Sequence, residues 1–474
     1  MVKRIACALV ALALLAGSMF AGAHPGGIAR ELALGGGPLA PTGFGPNIAL
    51  NPFIYDDPTL MLLNPAYQQL YRNYAWMNIA GGAVSGFNSA TDNGYGRQFA
   101  GTNFSFGKDI TLGAILSFDP SFANAVVGQL ATFINTSGPG STALRPGGAQ
   151  TGLRPVDVFE VTGTFDLGNI TFGAGILYGW AKNDAKNVTN PVPPASSSTE
   201  LSASVFGVRL GAIVDMGGGS AFDASGAFRM DKATDKVDGT NAAGGPANLG
   251  DYSESATEIQ LEGRLKLKMS NKVNFIPYAA FGTFSGEPKQ DAPQTGVVAF
   301  NGSTKVSAML LSLGAGMEYK ISNFYFAGGL TFRSSHVKSE ITPANPPVVG
   351  TTTVTNSSTE FPVLNMGVEW TLLDWLIGRM GYYRTFQSVG TKTERPSGAS
   401  TTETDTWAGN SNVLIGSYNG PDNSLITLGL GLRFGNFSLD GTVSEEAIRR
   451  GLGLVGAQDN INTFGYLTAS YCFD

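Results

Sequence analysis

Glu258-Ile259-Gln260-Leu261-Glu262-Gly263-Arg264-Leu265-Lys266-Leu267-Lys268-Met269 is the stretch that decides the fold. From Ile259 onward its odd positions are apolar apart from Gly263, and its even positions carry Glu, Gln, Arg and Lys. That is a period of two, which belongs to an extended strand with one apolar and one polar face. A helix would need a period of 3.6. The contrast recurs at Ile170/Phe172/Ala174/Ile176/Tyr178/Trp180 and at Ile110/Leu112/Ala114/Leu116/Phe118. It appears again at Phe206/Val208/Leu210/Ala212/Val214, at Met309/Leu311/Leu313/Ala315/Met317 and at Ile426/Leu428/Leu430/Leu432/Phe434.

Composition fits many strands against an apolar medium. Of 474 residues 64 are glycine, well above the usual ~7%. Only 14% are charged, where a soluble domain carries about 25%. There are 29 Phe and 15 Tyr. The net charge of −6, with no basic cluster, argues against a nucleic-acid partner.

The alternating segments are joined in pairs by short breaks at Gly107-Lys108, Gly168-Asn169, Gly217-Gly218-Gly219, Ser270-Asn271, Ser322-Asn323, Asp374 and Gly435-Asn436. These have hairpin chemistry. Longer connections rich in Gly, Ser, Thr, Asn and Pro are expected at 119–155, 184–199, 285–303, 337–357 and 387–421. Short turns at one end and long loops at the other are the asymmetry of an outer-membrane barrel. One strand near 74–87, seven hairpins and a closing strand near 460–473 predict sixteen strands. Closure follows from the backbone, because in lipid every N–H and C=O needs a partner and only a sheet without edges supplies them all. The competing reading, a soluble β-sandwich, fits the glycine usage and the loop asymmetry less well.

Three divisions are expected. Residues 1–23 read as a signal peptide: Lys3 and Arg4 precede an apolar run from Ile5 to Leu15, and Ala21-Gly22-Ala23 ends it with small residues. Residues 24–72 do not alternate and read as a hatch or plug, their Phe53, Ile54, Leu60, Met61, Leu62, Leu63 and Tyr67 being too apolar for simple disorder. Residues 73–474 are the transmembrane antiparallel β-barrel. Cleavage would leave Cys472 as the one mature cysteine, so no internal disulfide forms.

Asp56-Asp57-Pro58 followed by Asn64-Pro65-Ala66, just before the first strand, is similar to the N-terminal hatch of the long-chain fatty-acid transporter (FadL) family. The closing stretch from Phe437-Ser438-Leu439-Asp440 to Tyr471-Cys472-Phe473 resembles the last hairpin of that superfamily's secretion-type branch. Those relatives have fourteen strands, so the resemblance sets a range of fourteen to sixteen. It implies a passage for hydrophobic small molecules, blocked by a hatch containing Asp56, Asp57, Pro58, Asn64, Pro65 and Ala66.

Expected partners are outer-membrane lipid, a hydrophobic small-molecule ligand and the barrel-assembly machinery. The machinery would read the alternation Leu467, Ala469, Tyr471, Phe473, although Asp474 follows where such strands usually end on Phe. Phe122, Val126, Leu130 and Phe133 fall at helical spacing in the 119–155 connection. They either capture a lipophilic ligand or pack on the barrel rim.

No catalytic, metal or cofactor site can be assembled. His24 and His336 are the only histidines and lie far apart in the chain. Gly451-Leu452-Gly453-Leu454-Val455-Gly456 matches a dinucleotide-binding spacing, but no βαβ unit surrounds it. Both signs of charge fall on the polar registers, among them Arg209, Asp223, Arg229, Glu258, Glu262, Arg264, Glu318, Arg333, Glu369 and Arg379. Mutual pairing across strands is expected of most of them. The leading reading is a plugged transport barrel, with an interaction or secretion-associated barrel and an open diffusion porin as alternatives.

Overall fold

The computed structural model describes residues 26–38, 49–80, 98–117, 158–189, 195–240, 251–291, 302–343, 351–394, 402–408, 424–443 and 464–473. The signal-peptide reading of residues 1–23 and the apolar stretch with Phe122, Val126, Leu130 and Phe133 lie outside them.

The wall runs in chain order through β1 (Tyr74–Ala80), β2 (Gln98–Phe106), β3 (Ile110–Ser117), β4 (Val158–Asp166), β5 (Ile170–Thr189) and β6 (Ala195–Gly217). It continues through β7 (Ser220–Thr240), β8 (Asp251–Lys268), β9 (Val273–Asp291), β10 (Gly302–Ile321), β11 (Phe324–Pro343) and β12 (Thr352–Leu373). It ends with β13 (Leu376–Glu394), β14 (Thr402–Ala408), β15 (Ser424–Phe434), β16 (Phe437–Val443) and β17 (Phe464–Cys472). Neighbours pair antiparallel, and β17 closes on β1 from Cys472 opposite Tyr74 to Tyr466 opposite Ala80. β14 pairs with Gln387–Thr393 of β13, and β15 pairs with Leu376–Arg384 of the same strand. The two segments therefore share one position in the wall. The described residues form a closed antiparallel barrel of sixteen staves, as the alternation predicts.

The faces sort by chemistry. Phe172, Ile176, Tyr178 and Trp180 of β5 point outward and are exposed, as are Ile259 and Leu261 of β8 and Met309, Leu311, Leu313 and Met317 of β10. Such a band, about 25 Å tall in outer-membrane barrels, has lipid as its matching medium. Inward-facing Glu258, Glu262 and Arg264 alternate with it and are buried. At the short-turn end the ring of Phe473, after the last strand, lies 5.3 Å from that of Phe104.

One expectation needs correction. The connections placed at 184–199 and 337–357 are largely strand, and those at 285–303 and 387–421 partly so, because β5, β6 and β9 to β13 run on well past the apolar band. A span needs only about 9–11 residues, whereas these strands have 19 to 23. On their far halves the outward register turns polar, as at Thr283, Ser285 and Glu287 of β9 and Ser334, His336 and Lys338 of β11, so the alternation that marks a membrane strand is lost there. Lys182 and Glu200 form an exposed pair at 3.2 Å on this extension.

Candidate functional site

The N-terminal segment occupies the lumen at the short-turn end. Its helix α1 (Ile28–Ala33) is wholly buried, and two one-turn 3-10 helices follow at Pro58–Leu62 and Pro65–Gln69. The two proline motifs explain where those turns begin. Asp57 caps the first, its carboxylate accepting from the Thr59 N–H at 2.8 Å, and Asn64 caps the second, accepting from the Ala66 N–H at 3.0 Å. Proline directly after each cap supplies a preset φ and gives up an N–H that would have had no partner.

The wall is shaped to this segment. Gly173 and Gly211 face inward beneath Asn64-Pro65-Ala66, and a Cβ on Gly211 would overlap Asn64 Oδ1, while one on Gly173 would overlap the Ala66 nitrogen. Only glycine allows the backbones to come this close. Gly316 and Gly329 make the same room for the Phe53 ring, and Gly367 for Leu34. Asn64 Nδ2 then donates to the carbonyls of Ala212 and Ala224, both at 3.3 Å.

Polar contacts hold the segment round its circumference. Glu318 of β10 accepts from the Tyr55 N–H and from the Tyr325 hydroxyl, both at 2.8 Å. Arg264 of β8 donates to the Ile54 carbonyl at 2.9 Å, pairs with Asp223 at 3.1 Å and bonds the Tyr67 hydroxyl, which itself donates to Asp223 at 2.6 Å. Arg209 of β6 pairs with Glu160 of β4 and donates to the carbonyls of Met61 and Leu62. Asn365 of β12 donates to the Gly35 carbonyl at 2.8 Å, and Gln69 accepts from Thr111 at 2.7 Å. These charges also pair within the wall, as expected: Arg229 with Glu258 at 3.0 Å and Arg333 with Glu360 at 3.4 Å.

A chain of ions runs from segment to wall. Asp57 Oδ2 lies 3.0 Å from Arg30 Nη1, whose Nε lies 3.0 Å from Glu369. Glu369 meets Arg379 at 2.7 Å, and Arg379 meets Asp440 at 2.6 Å. Burial pushes the carboxyls of both Asp57 and Glu31 up, Arg30 opposing the rise in each case. Glu31 is fully buried and accepts from the Asn51 N–H at 2.8 Å through one oxygen.

Of the residues singled out in the sequence, Asp57, Pro58, Asn64, Pro65 and Ala66 are buried in this seat. Asp56 is exposed and accepts from the Tyr71 hydroxyl at 2.7 Å. Sequence reasoning misses Arg30, Glu31 and the seat glycines, since α1 has only six residues and a strand glycine carries no side chain to show what it faces. Beyond the Glu160–Arg209 pair the inward side chains become apolar, with Phe99, Ile115, Val158, Leu177 and Val205 all buried in one cluster.

No family model and no curated protein matches the chain. Among solved structures it is similar to the toluene transporter TodX of Pseudomonas putida, at 10% identity over 96% of this chain and 97% of that one, with a TM-score of 0.34. It is also similar to the toluene transporter TbuX of Ralstonia pickettii, at 11% identity over 96% and 100% of the two chains, TM-score 0.35. A third is the alcaligin outer-membrane receptor FauA of Bordetella pertussis, at 10% identity over 84% and 75%, TM-score 0.34.

Proposed function

We propose that this chain is a gated conduit of the outer membrane, passing small apolar or amphipathic solutes when its N-terminal plug shifts. The observation that carries this is the seat: Gly173 and Gly211 leave space for Asn64-Pro65-Ala66, and the contacts made there are non-covalent. A segment bonded to the wall in this way can undock without breaking the barrel, whose own ladders close without it. The apolar layer of Phe99, Ile115, Val158, Leu177 and Val205 beyond the plug suits a solute that sheds water on entering. Asp57 and Asn64 serve as latch residues, Pro58, Pro65 and Ala66 shape the contact surface, and Asp56 faces the aqueous side.

Partners on this reading are membrane lipid, the hydrophobic solute and the assembly machinery that engages the last strand. Chemistry on the solute is not part of it. The reading is tested by reconstituting the chain into liposomes and following uptake of a fluorescent apolar probe, 1-N-phenylnaphthylamine. Uptake faster than in protein-free liposomes, and faster again when Asn64→Ala loosens the plug, supports it. Rates equal to those of protein-free liposomes for both proteins contradict it.

A further inference from the structure

Between the N-terminal segment and the wall, at the short-turn end, lies a cavity of about 450 Å³. That is the size of a small-molecule site. Five cations line it: Arg30, Lys266, Lys272, Lys320 and Arg433. Three carboxylates face them, and each is engaged. Asp56 accepts from Tyr71, Glu318 from Tyr55, Tyr325 and Asn274, and Glu369 lies between Arg30 and Arg379.

The cations are not answered to the same degree. Lys272 and Lys320 form no ion pair with a described residue. Lys266 lies over the Tyr55 ring at 4.6 Å, and Arg433 has its Nε and Nη2 enclosed with no acceptor among the described residues. An enclosed guanidinium without an acceptor is costly unless something supplies one. Tyr55, Tyr71 and Phe324 add aromatic surface to the same lining.

We propose that this cavity binds a small organic anion, its carboxylate or phosphate met by Lys272 and Lys320 and its apolar body lying against the tyrosines. The site rests on the conduit reading only in its direction: it would hold a solute on the inner side of the plug. The two lysines act as point charges on the anion, and the Lys320 N–H donates to the Lys272 carbonyl at 2.8 Å, which sets them side by side.

The test is calorimetric titration of the purified full chain with benzoate, with benzyl alcohol as its neutral counterpart and inorganic phosphate as the bare anion. Benzoate is expected to bind saturably, and at least about tenfold more tightly than either of the others, the scale of one charge-assisted bond. Lys272→Gln with Lys320→Gln should lower benzoate affinity by at least about tenfold, while the paired Lys→Arg variant retains it. Phosphate binding as tightly as benzoate would overturn the organic part of the proposal. Benzoate no tighter than benzyl alcohol, or unchanged by the Gln pair, would overturn it altogether. Probe uptake on the same preparation separates the two ideas: uptake without benzoate binding removes only the anion site, and benzoate binding without uptake removes only the conduit.

Discussion

Arg30 on the short N-terminal helix reaches Glu369 on β12 with its Nε at 3.0 Å, while its Nη1 holds Asp57 of the same N-terminal segment at 3.0 Å. One guanidinium thus joins the plug to itself and to the wall. Replacing Arg30 with Gln leaves Glu369 its bond to Arg379, but strips Asp57 of its cation where it is fully buried. Breaking such a pair costs about 3–5 kcal/mol. Arg30→Gln should therefore expose the N-terminal segment to limited proteolysis, with the heat-modifiable gel mobility of the folded barrel unchanged.

The seat makes a sharper steric prediction. Gly211→Ala places a methyl against Asn64 and should release the plug without unfolding the wall. Gly207, four residues along the same inward face, is far roomier: a methyl added there meets nothing nearer than the Phe228 carbonyl oxygen at 3.3 Å. Gly207→Ala is therefore the matched control. Proteolytic cleavage within 24–73 should rise for the first and stay near wild type for the second. Equal behaviour of the two would remove the seat from the account.

Asn64→Ala removes a cap and two donations to the wall carbonyls of Ala212 and Ala224. A lost cap costs about 1 kcal/mol, and each lost neutral hydrogen bond about the same. The effect on plug protection should be smaller than that of Arg30→Gln when both are read by hydrogen exchange of residues 58–69.

Docking should weaken as pH rises. Burial raises the Glu31 carboxyl, with Asp57 adding to the rise and Arg30 and Arg264 opposing it. A carboxyl raised in the docked state holds its proton there longer than when free. Docking is then fully supported below the free carboxylate value of about 4.3, and that support is lost as pH climbs through the docked value. Protease sensitivity of the plug should rise with pH over this window, and Glu31→Gln should reduce the dependence, Asp57, which burial also raises, carrying the remainder.

The membrane claim has its own test on the outer face. Leu261 is exposed within the apolar band, whereas Thr257 lies on the same outward register four residues further from the short turn. Leu261→Arg should cost about 2–4 kcal/mol when refolding into lipid is measured by urea titration, and Thr257→Arg less.

Much of this architecture is readable in the chain. Alternation such as Ile259-Gln260-Leu261-Glu262 predicts which side chains meet lipid, and the Asp57-Pro58 and Asn64-Pro65 pairs mark the starts of the two 3-10 turns. The far halves of β5, β6 and β9 to β12 are not readable, because their outward register turns polar and the apolar-out alternation ends there. A register shift between Glu360 and Val363 also moves the inward positions of β12 from even to odd, a change that periodicity alone does not carry across Pro362. Pairs such as Arg209 with Glu160 are set by strand register, which lays β4 and β6 on either side of β5 and lets the two side chains meet across Gly175. Local spacing holds no trace of them.

Single-channel conductance in planar bilayers, comparing the chain begun at residue 24 with a variant lacking residues 24–70, tests most directly whether the lumen is stoppered by its own N-terminus. The stoppered lumen predicts small or rare openings for the intact chain and large, steady ones for the shortened chain, with both proteins showing the gel mobility of a folded barrel. Large, steady openings already present in the intact chain, and unchanged by the deletion, would contradict it.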